Sequence, residues 1–153
     1  MEIELGRLLT ERGYTVAVAE SCTGGLVSAR LIDKPGASAF FMEGAVTYSN
    51  ASKIARLGVK AETIERFGAV SEETAREMSE GMARSAGTDI GISTTGIAGP
   101  DGGTPEKPVG LVYIGLCVKG RVSAERFVFS GPRERVRDQA ADEALRMLRS
   151  ALT

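Results

Sequence analysis

The sequence predicts an α/β fold: a three-layer α/β/α sandwich with a mixed, mainly parallel sheet and a late antiparallel hairpin. Three observations support this prediction. Strand-like segments alternate with helical patterns through the first part of the chain, which favours parallel pairing. Two β-rich segments then flank Lys119-Gly120, as in a hairpin. The chain closes with a segment whose apolar residues recur every four positions, which is typical of a helix that packs on a sheet.

Composition and charge limit what the chain can be. With 153 residues, of which 42% are hydrophobic and 25% charged, it fits one globular domain over residues 1–153. The 19 basic and 20 acidic side chains give a net charge of -1, so no general field attracts nucleic acid or an anionic membrane. No apolar run is long enough to span a bilayer, and residues 1–12 resemble an amphipathic helix and not a signal peptide. We therefore expect a cytoplasmic protein without nucleic-acid or membrane partners.

The chain contains no histidine, which excludes Ser-His and Cys-His pairs and histidine-ligated zinc. Its two cysteines, Cys22 and Cys117, make neither a disulfide framework nor a thiolate metal site, and we expect both to be reduced. There is no EF-hand loop and no aspartate cluster. The sequence therefore predicts no metal site, and any catalytic base must be another residue type.

The residue pattern of the N-terminal half of the chain predicts helices and strands that meet at polar turns. A short apolar stripe ends at Gly13, which suits a helix C-cap. The β-rich run after it meets Glu20-Ser21-Cys22-Thr23-Gly24-Gly25, and Ser49-Asn50 follows a second β-rich run. In chain order, the predicted elements are a helix to Gly13, a strand over 14–19, a helix over 26–33, a strand over 45–48 and a helix containing Lys53.

The C-terminal half predicts a helix, three strands and a closing helix. Ser71 followed by two glutamates suits a helix start, and Gly87 ends the apolar pattern. The final helix follows Pro132, which suits a first helical turn. The predicted elements are a helix over 71–87, strands over 89–94, 109–118 and 121–129, and a helix carrying the apolar stripe Val136, Ala140, Ala144, Leu148 and Leu152.

Three polar segments follow predicted strands, and in open α/β sheets ligands bind beyond the carboxyl ends of strands. The segments are Ser21–Gly25, Tyr48–Lys53 and the loop from Thr95 into Gly103. Turn residues also collect at strand ends for conformational reasons alone. Ser21 is therefore a candidate nucleophile near free helix amides, or a simple helix cap.

Lys53 is a candidate base, because a desolvated lysine gives up its proton more easily, or a solvated helix-surface residue. Tyr48 is its neighbour in the site, or an aromatic packed at the sheet edge. The glycine-rich loop over 95–108 is neither a Walker nor a Rossmann motif. It is therefore either a ligand-binding loop specific to this fold or a flexible surface loop. Arg133 and Arg137 lie four apart, either as a phosphate clamp or as a solvated face that pairs with Glu134, Asp138 or Asp142.

Four motifs in this order resemble the CinA carboxy-terminal domain family, the nicotinamide mononucleotide deamidases. The resemblance covers nearly the whole chain, from about residue 5 to residue 152. The motifs are A-E-S-C-T-G-G over 19–25, T-Y-S-N over 47–50 with Lys53, G-A-V-S over 68–71, and G-I-A-G-P-D-G-G over 96–103 followed by K-P-V-G over 107–110.

The resemblance implies an enzyme that hydrolyses the carboxamide of nicotinamide mononucleotide to nicotinic acid mononucleotide and ammonia, for pyridine nucleotide recycling. It implies no cofactor, no metal and a homo-oligomer. In the mechanism we expect, neutral Lys53, assisted by the Tyr48 hydroxyl, takes the proton of Ser21. Backbone amides at the start of the helix after Cys22, or in the loop at Gly96, hold the oxyanion. The catalytic residues implied are Ser21, Tyr48 and Lys53, and the substrate-binding residues are Cys22, Thr23, Gly24, Thr95, Gly96, Ala98, Gly99, Arg133 and Arg137.

Two alternatives stay open. One is an amidohydrolase that uses Cys22, because a helix start can lower a thiol pKa. The other is a non-catalytic nucleotide-binding module linked to competence or DNA uptake, although the near-neutral charge and the lack of a basic patch argue against direct DNA contact.

Overall fold

The computed structural model describes all of residues 1–153. No helix is long and apolar enough to cross a bilayer. The elements in chain order are α1 (Glu2–Arg12), β1 (Val16–Glu20), α2 (Leu26–Ile32), a short 3-10 helix (Ala37–Ala39), β2 (Phe41–Val46), α3 (Asn50–Leu57), α4 (Ala61–Phe67), α5 (Glu72–Ala86), β3 (Ile90–Gly96), β4 (Leu111–Val118), β5 (Arg121–Val128) and α6 (Arg133–Leu152).

The strands form one five-stranded sheet in the order β2-β1-β3-β4-β5. Strand β1 is parallel to both β2 and β3, β4 is antiparallel to β3, and β5 is antiparallel to β4. Four of the five strands therefore run in the same direction, and the antiparallel hairpin β4–β5 closes one edge. This arrangement confirms the predicted mixed sheet and its late hairpin.

Helices cover both faces of the sheet and complete the three layers. Helices α1, α2 and α6 contact one another on one face, and α3 and α4 pack with α5 on the other. The larger core lies on the α6 face, where the whole predicted apolar stripe of α6 is buried. The smaller core lies under α3 and α5 and joins Ala17 and Ala19 of β1 to Leu57, Met78 and Met82.

The alternation of side chains along β1 places two neighbouring residues in different layers. Glu20, the last residue of β1, contacts the start of α2, whereas Ser21 contacts Lys53 of α3. The ladder continues past the strand, because the Thr47 amide donates to the Glu20 carbonyl (2.8 Å) and the Ser21 amide donates to the Thr94 carbonyl (3.1 Å). Ser21 is thus held between the carboxyl ends of β2 and β3.

Three sequence predictions were wrong in detail. The second strand covers Phe41–Val46 and not 45–48, so Tyr48 lies beyond its end. As an edge strand, β2 alternates half-buried with exposed residues, which leaves no continuous apolar run to mark it. Helix α4 was not predicted, because seven residues between Gly58 and Gly68 are too few to show a helical period. Pro132 occupies the N-cap of α6, one position before the first turn.

Candidate active site

A buried lysine and a serine meet at the carboxyl edge of the sheet. Ser49 caps α3 by accepting a hydrogen bond from the Ser52 amide (3.0 Å), and Lys53 follows one turn later. Its side chain is only 1% exposed, and Nζ lies 3.0 Å from the Ser21 Oγ. The structure therefore brings together the two residues that the sequence proposed as base and nucleophile.

The contacts of Nζ restrict where its proton can go. Nζ also donates to the carbonyls of Thr47 and Tyr48, each at 2.9 Å. An ammonium has three hydrogens, and these three oxygens use all of them. A neutral amine keeps two hydrogens, which suit the two carbonyls, because a carbonyl can only accept. The lone pair then faces Ser21, whose hydroxyl is the single partner able to donate a proton to it.

Burial also makes the neutral amine accessible near physiological pH. Desolvation lowers the pKa of Lys53 from 10.5 to about 8, and no carboxylate forms an ion pair with it. A buried lysine with a lowered pKa, within hydrogen-bond distance of a serine hydroxyl, is the arrangement of an activated nucleophile.

Tyr48 supports this pair through its main chain. Its carbonyl binds Lys53, whereas its side chain is 59% exposed and its hydroxyl accepts a hydrogen bond from Arg133 Nη2 (3.2 Å). The expected assistance of Lys53 by the Tyr48 hydroxyl is therefore not the contact seen. The hydroxyl lies at the rim of the site, beside a cation.

The turn that carries Ser21 is anchored by Glu20. This buried carboxylate accepts from the amides of Val27 (3.0 Å) and Ser28 (2.9 Å) in the first turn of α2, and also from the Ser28 hydroxyl. The amides of Val27 and Ser28 are therefore not free to hold a ligand. A side chain of the protein occupies them.

Glu20 also fixes the direction of a short hydrogen-bond chain. The Thr23 hydroxyl lies 2.6 Å from the Glu20 Oε1 and 2.8 Å from the Thr94 hydroxyl. A carboxylate can only accept, so Thr23 donates to Glu20 and accepts from Thr94. The Thr94 oxygen is then free to accept from the Ser21 amide (3.3 Å). The Ser21 amide is thereby committed to β3 and is not available to a ligand.

The next two amides of the turn remain free. The Gly24 amide donates to the Ser21 carbonyl (3.1 Å), but the Cys22 and Thr23 amides donate no hydrogen bond within the chain. On the opposite side of the turn, Arg137 donates from Nε to the Cys22 carbonyl (2.9 Å) and from Nη2 to the Thr23 carbonyl (3.1 Å). Arg137 thus joins α6 to the turn and not to an acidic neighbour.

Gly24 fits this turn for two reasons. Its φ of 56° lies in the left-handed region, which disfavours other residues. A Cβ at this position would also lie 3.0 Å from the Arg137 Nη2. Glycine therefore allows the guanidinium to reach the carbonyls of the turn.

Cys22 is placed as a core residue. It is 4% exposed, it belongs to the larger core, and burial raises the pKa of its thiol to about 11. The lowered thiol pKa that a cysteine nucleophile requires is therefore absent. Cys117 is likewise a buried free thiol.

The glycine-rich loop runs between β3 and β4, and its expected ligand residues have different surroundings. The buried Thr95 hydroxyl donates to the Ala69 carbonyl (2.7 Å), which ties the G-A-V-S segment to β3. Gly96 pairs with Val112 at the end of β3, and the Ala98 side chain lies in the core. The Gly99 carbonyl accepts from Arg133 Nη1 (2.8 Å).

Arg133 is the exposed cation of this rim. Its guanidinium contacts two neutral acceptors, the Gly99 carbonyl and the Tyr48 hydroxyl, and forms no ion pair. Neither arginine forms an ion pair with Glu134, Asp138 or Asp142, so the alternative of a basic face paired with these acids fails. Asp142 pairs with Arg30 instead.

Sequence reasoning missed the residues that support the pair. Glu20 ends a strand whose other residues are apolar, and a lone acidic residue in that position was the available signal. Thr47 stands in the T-Y-S-N motif, but nothing there indicated that its carbonyl binds Lys53. Thr94 gave no signal, because its importance depends on strand register.

Comparisons with known proteins cover the chain from end to end. The family model described as the CinA C-terminal domain matches residues 1–152. A competence-damage inducible protein of Clostridium acetobutylicum is 57% identical over 149 residues, which are 97% of this chain and 36% of that protein. A CinA-like protein of Kosmotoga olearia is 57% identical over 145 residues, 95% of this chain and 35% of the relative. The chain therefore spans little more than a third of the length of the curated relatives it matches.

Solved structures agree closely with the fold. The competence damage-inducible protein A of Klebsiella pneumoniae superposes with a TM-score of 0.95 at 39% identity, covering 99% of this chain and 94% of that one. A competence/damage inducible protein of Agrobacterium tumefaciens gives 0.91 at 39% identity, again covering 99% and 94%.

Proposed function

Because the chain belongs to the CinA C-terminal domain family, and because a buried lysine faces a serine at the edge of its sheet, we propose that it is a serine amidohydrolase acting on the carboxamide of nicotinamide mononucleotide. The products are nicotinic acid mononucleotide and ammonia. One observation carries the proposal: the 3.0 Å contact of the Lys53 Nζ, whose burial lowers its pKa to about 8, with the Ser21 Oγ.

The first step forms the acyl-enzyme. Neutral Lys53 takes the hydroxyl proton of Ser21 as the Oγ attacks the carboxamide carbon, which gives a tetrahedral oxyanion. The Lys53 ammonium then returns the proton to the amide nitrogen as the C–N bond breaks, and ammonia leaves. During both transfers the carbonyls of Thr47 and Tyr48 hold the other two hydrogens of Nζ.

The second step hydrolyses the ester. Water attacks the acyl carbon while Lys53 accepts its proton, and collapse of the second tetrahedral intermediate returns that proton to the Ser21 Oγ. The sum is amide plus water to carboxylic acid plus ammonia. A histidine is not needed, because one lysine serves both steps, and this agrees with its absence from the sequence.

The free amides of Cys22 and Thr23 are the donors we assign to the oxyanion. They follow the nucleophile directly in the chain and have no partner within it. Preorganised donors of this kind contribute about 3 kcal/mol each to transition-state stabilisation. The Ser21 amide is excluded from this role, since it binds Thr94.

Arg133 is the residue we assign to the substrate phosphate. It is exposed at the rim, and its two contacts are with neutral oxygens that a phosphate dianion can displace. The Gly99 carbonyl and the Tyr48 hydroxyl hold the guanidinium in place before the substrate binds. The mononucleotide itself is the substrate implied by the family resemblance.

Ammonia release from purified protein with nicotinamide mononucleotide tests the proposal. We expect Ser21→Ala and Lys53→Met to lose at least about 10³-fold in kcat, as expected when a nucleophile or its base is removed. Lys60→Met, which alters an exposed lysine seven positions further on, is the matched control and should remain active. Circular dichroism of each variant separates loss of chemistry from loss of fold.

Two results would contradict the proposed serine amidohydrolase mechanism. A folded wild-type protein that binds the mononucleotide and releases no ammonia would favour the nucleotide-binding module. An active Ser21→Ala variant together with an inactive Cys22→Ala variant would reassign the nucleophile, despite the burial of Cys22.

A further inference from the structure

We infer that Arg137 is a positioning residue that orients and polarises the oxyanion-binding amide of Thr23, and that it does not bind the substrate phosphate. This inference rests on the proposed function and deepens it. It concerns a residue that the sequence had grouped with Arg133 as one half of a phosphate clamp.

The contacts of Arg137 point to the turn that carries Ser21. The half-buried guanidinium directs its Nε–Nη2 edge at two consecutive carbonyls, those of Cys22 (2.9 Å) and Thr23 (3.1 Å). That edge is one of those by which an arginine makes a bidentate contact with phosphate. Here main-chain oxygens occupy it. Arg133 differs, because it is exposed and lies at the rim with Gly99 and Tyr48.

Planarity of the peptide group transmits this contact to the amide on the other side. The Cys22 carbonyl and the Thr23 amide belong to one rigid unit, with oxygen and hydrogen on opposite sides of it. A guanidinium bound to the oxygen therefore fixes the direction of the N–H. It also withdraws electron density from the peptide, which strengthens that N–H as a donor.

The hydrogen bonds of the turn leave this amide available. The Thr23 amide has no partner in the chain, whereas the carbonyl of the same peptide binds a cation. The Thr23 hydroxyl is held by Glu20 and Thr94, so the residue is fixed from its side chain as well. Glu20 and Arg137 thus hold the turn from two directions and leave the Thr23 amide without a partner in the chain.

The test separates transition-state from ground-state binding in Arg137→Gln. We expect kcat for nicotinamide mononucleotide to fall about 10- to 100-fold, less than for direct removal of a donor, with KM changed less than about 3-fold. Arg137→Lys, which keeps the positive charge but has one donor nitrogen in place of the two that bind the turn, should recover part of kcat. Arg135→Gln on the exposed side of the same helix is the matched control and should retain wild-type kinetics.

A pair of ligands gives a second readout. The mononucleotide of pyridine-3-carboxaldehyde forms a hemiacetal oxyanion with Ser21, whereas nicotinic acid mononucleotide has the same phosphate and forms none. In Arg137→Gln we expect the Kd of the aldehyde to rise about 10- to 100-fold and that of the acid to stay within about 3-fold. In Arg133→Gln we expect both to rise together.

The outcomes are distinguishable. Suppose that the wild-type protein is active and that Arg137→Gln raises KM and both Kd values without changing kcat. This result overturns only the inference, and it means that Arg137 binds the phosphate together with Arg133. A wild-type protein that releases no ammonia overturns the proposed function and this inference together. If Arg137→Gln does not fold, the kcat and aldehyde Kd of Arg137→Lys decide, and wild-type values there refute the inference.

Discussion

Replacing Lys53 by methionine should change how stability depends on pH. The folded protein holds the Lys53 ammonium in a site with 1% exposure, and its pKa falls from 10.5 to about 8. A group whose folded pKa lies below its unfolded pKa binds protons more tightly in the unfolded state. The ammonium therefore destabilises the fold fully below pH 8, and this penalty disappears as the pH rises from about 8 to 10.5.

The size of the effect follows from the two pKa values. A gap of about 2.5 units corresponds to about 3 kcal/mol at low pH. Most of this change falls between pH 6.5 and 9.5. Over that interval the free energy of unfolding of the wild-type protein should rise by about 2 kcal/mol because of Lys53. Lys53→Met has no titrating group at this position and should show no such gain.

Urea unfolding at pH 6.5, 8 and 9.5 measures the effect in wild type, Lys53→Met and the control Lys60→Met. The difference between wild type and Lys53→Met removes the contributions of all other titrating groups. We expect that difference to move by about 2 kcal/mol in favour of wild type as the pH rises. The Lys60→Met curve should run parallel to wild type, since Lys60 is exposed.

A constant difference between wild type and Lys53→Met over this range would refute the reasoning, because it would mean that the folded and unfolded proteins hold the Lys53 proton equally tightly. The same pKa governs catalysis in the proposed mechanism. We therefore expect kcat/KM to rise with pH along a limb with an apparent pKa of about 8, set by the free enzyme.

Three further predictions concern the residues around this pair. The Glu20 carboxylate accepts hydrogen bonds from two amides and two hydroxyls, whereas the side chain in Glu20→Gln has only one acceptor oxygen. Urea unfolding should therefore show that the free energy of unfolding falls by about 1–3 kcal/mol. The exposed Glu65→Gln should show no such loss. Cys22→Ala should keep ammonia release within about 3-fold of wild type, since a thiol with its pKa raised to about 11 is not the nucleophile; an inactive but folded variant would contradict this. Tyr48→Phe should leave the rising limb of the pH profile in place, because Lys53 binds the Tyr48 carbonyl and not its hydroxyl. A shift of that limb by about one pH unit or more would show that the hydroxyl sets the lysine pKa.

Much of the fold could be predicted from local patterns. The start and end of α5 at Ser71 and Gly87 and the hairpin at Lys119-Gly120 follow from capping and turn residues, which act over a few positions of the chain. The stripe of α6 follows from helical periodicity. Edge strand β2 and the short α4 could not be placed reliably, because an edge strand is buried on one side only and seven residues show no period.

The sequence predicted which residues belong to the candidate site better than it predicted the contacts between them. Ser21, Tyr48 and Lys53 were named from their positions after strands and from the family resemblance, and the structure places all three at one edge of the sheet. Their partners depend on residues far apart in the chain. The Tyr48 hydroxyl binds Arg133, which is 85 positions away, and no local pattern indicates this contact.

The sequence by itself determined that any base here had to work without histidine, that turns follow the strands at Ser21 and Tyr48, and that the fold is α/β. Those properties depend on composition and on neighbours in the chain. Only the tertiary structure decided that Lys53 is buried against Ser21, that Glu20 occupies the start of α2, and that Arg137 binds the turn that carries Ser21. Desolvation and the direction of hydrogen bonds set these roles. Both depend on which residues, distant in the chain, pack against one another in the folded molecule.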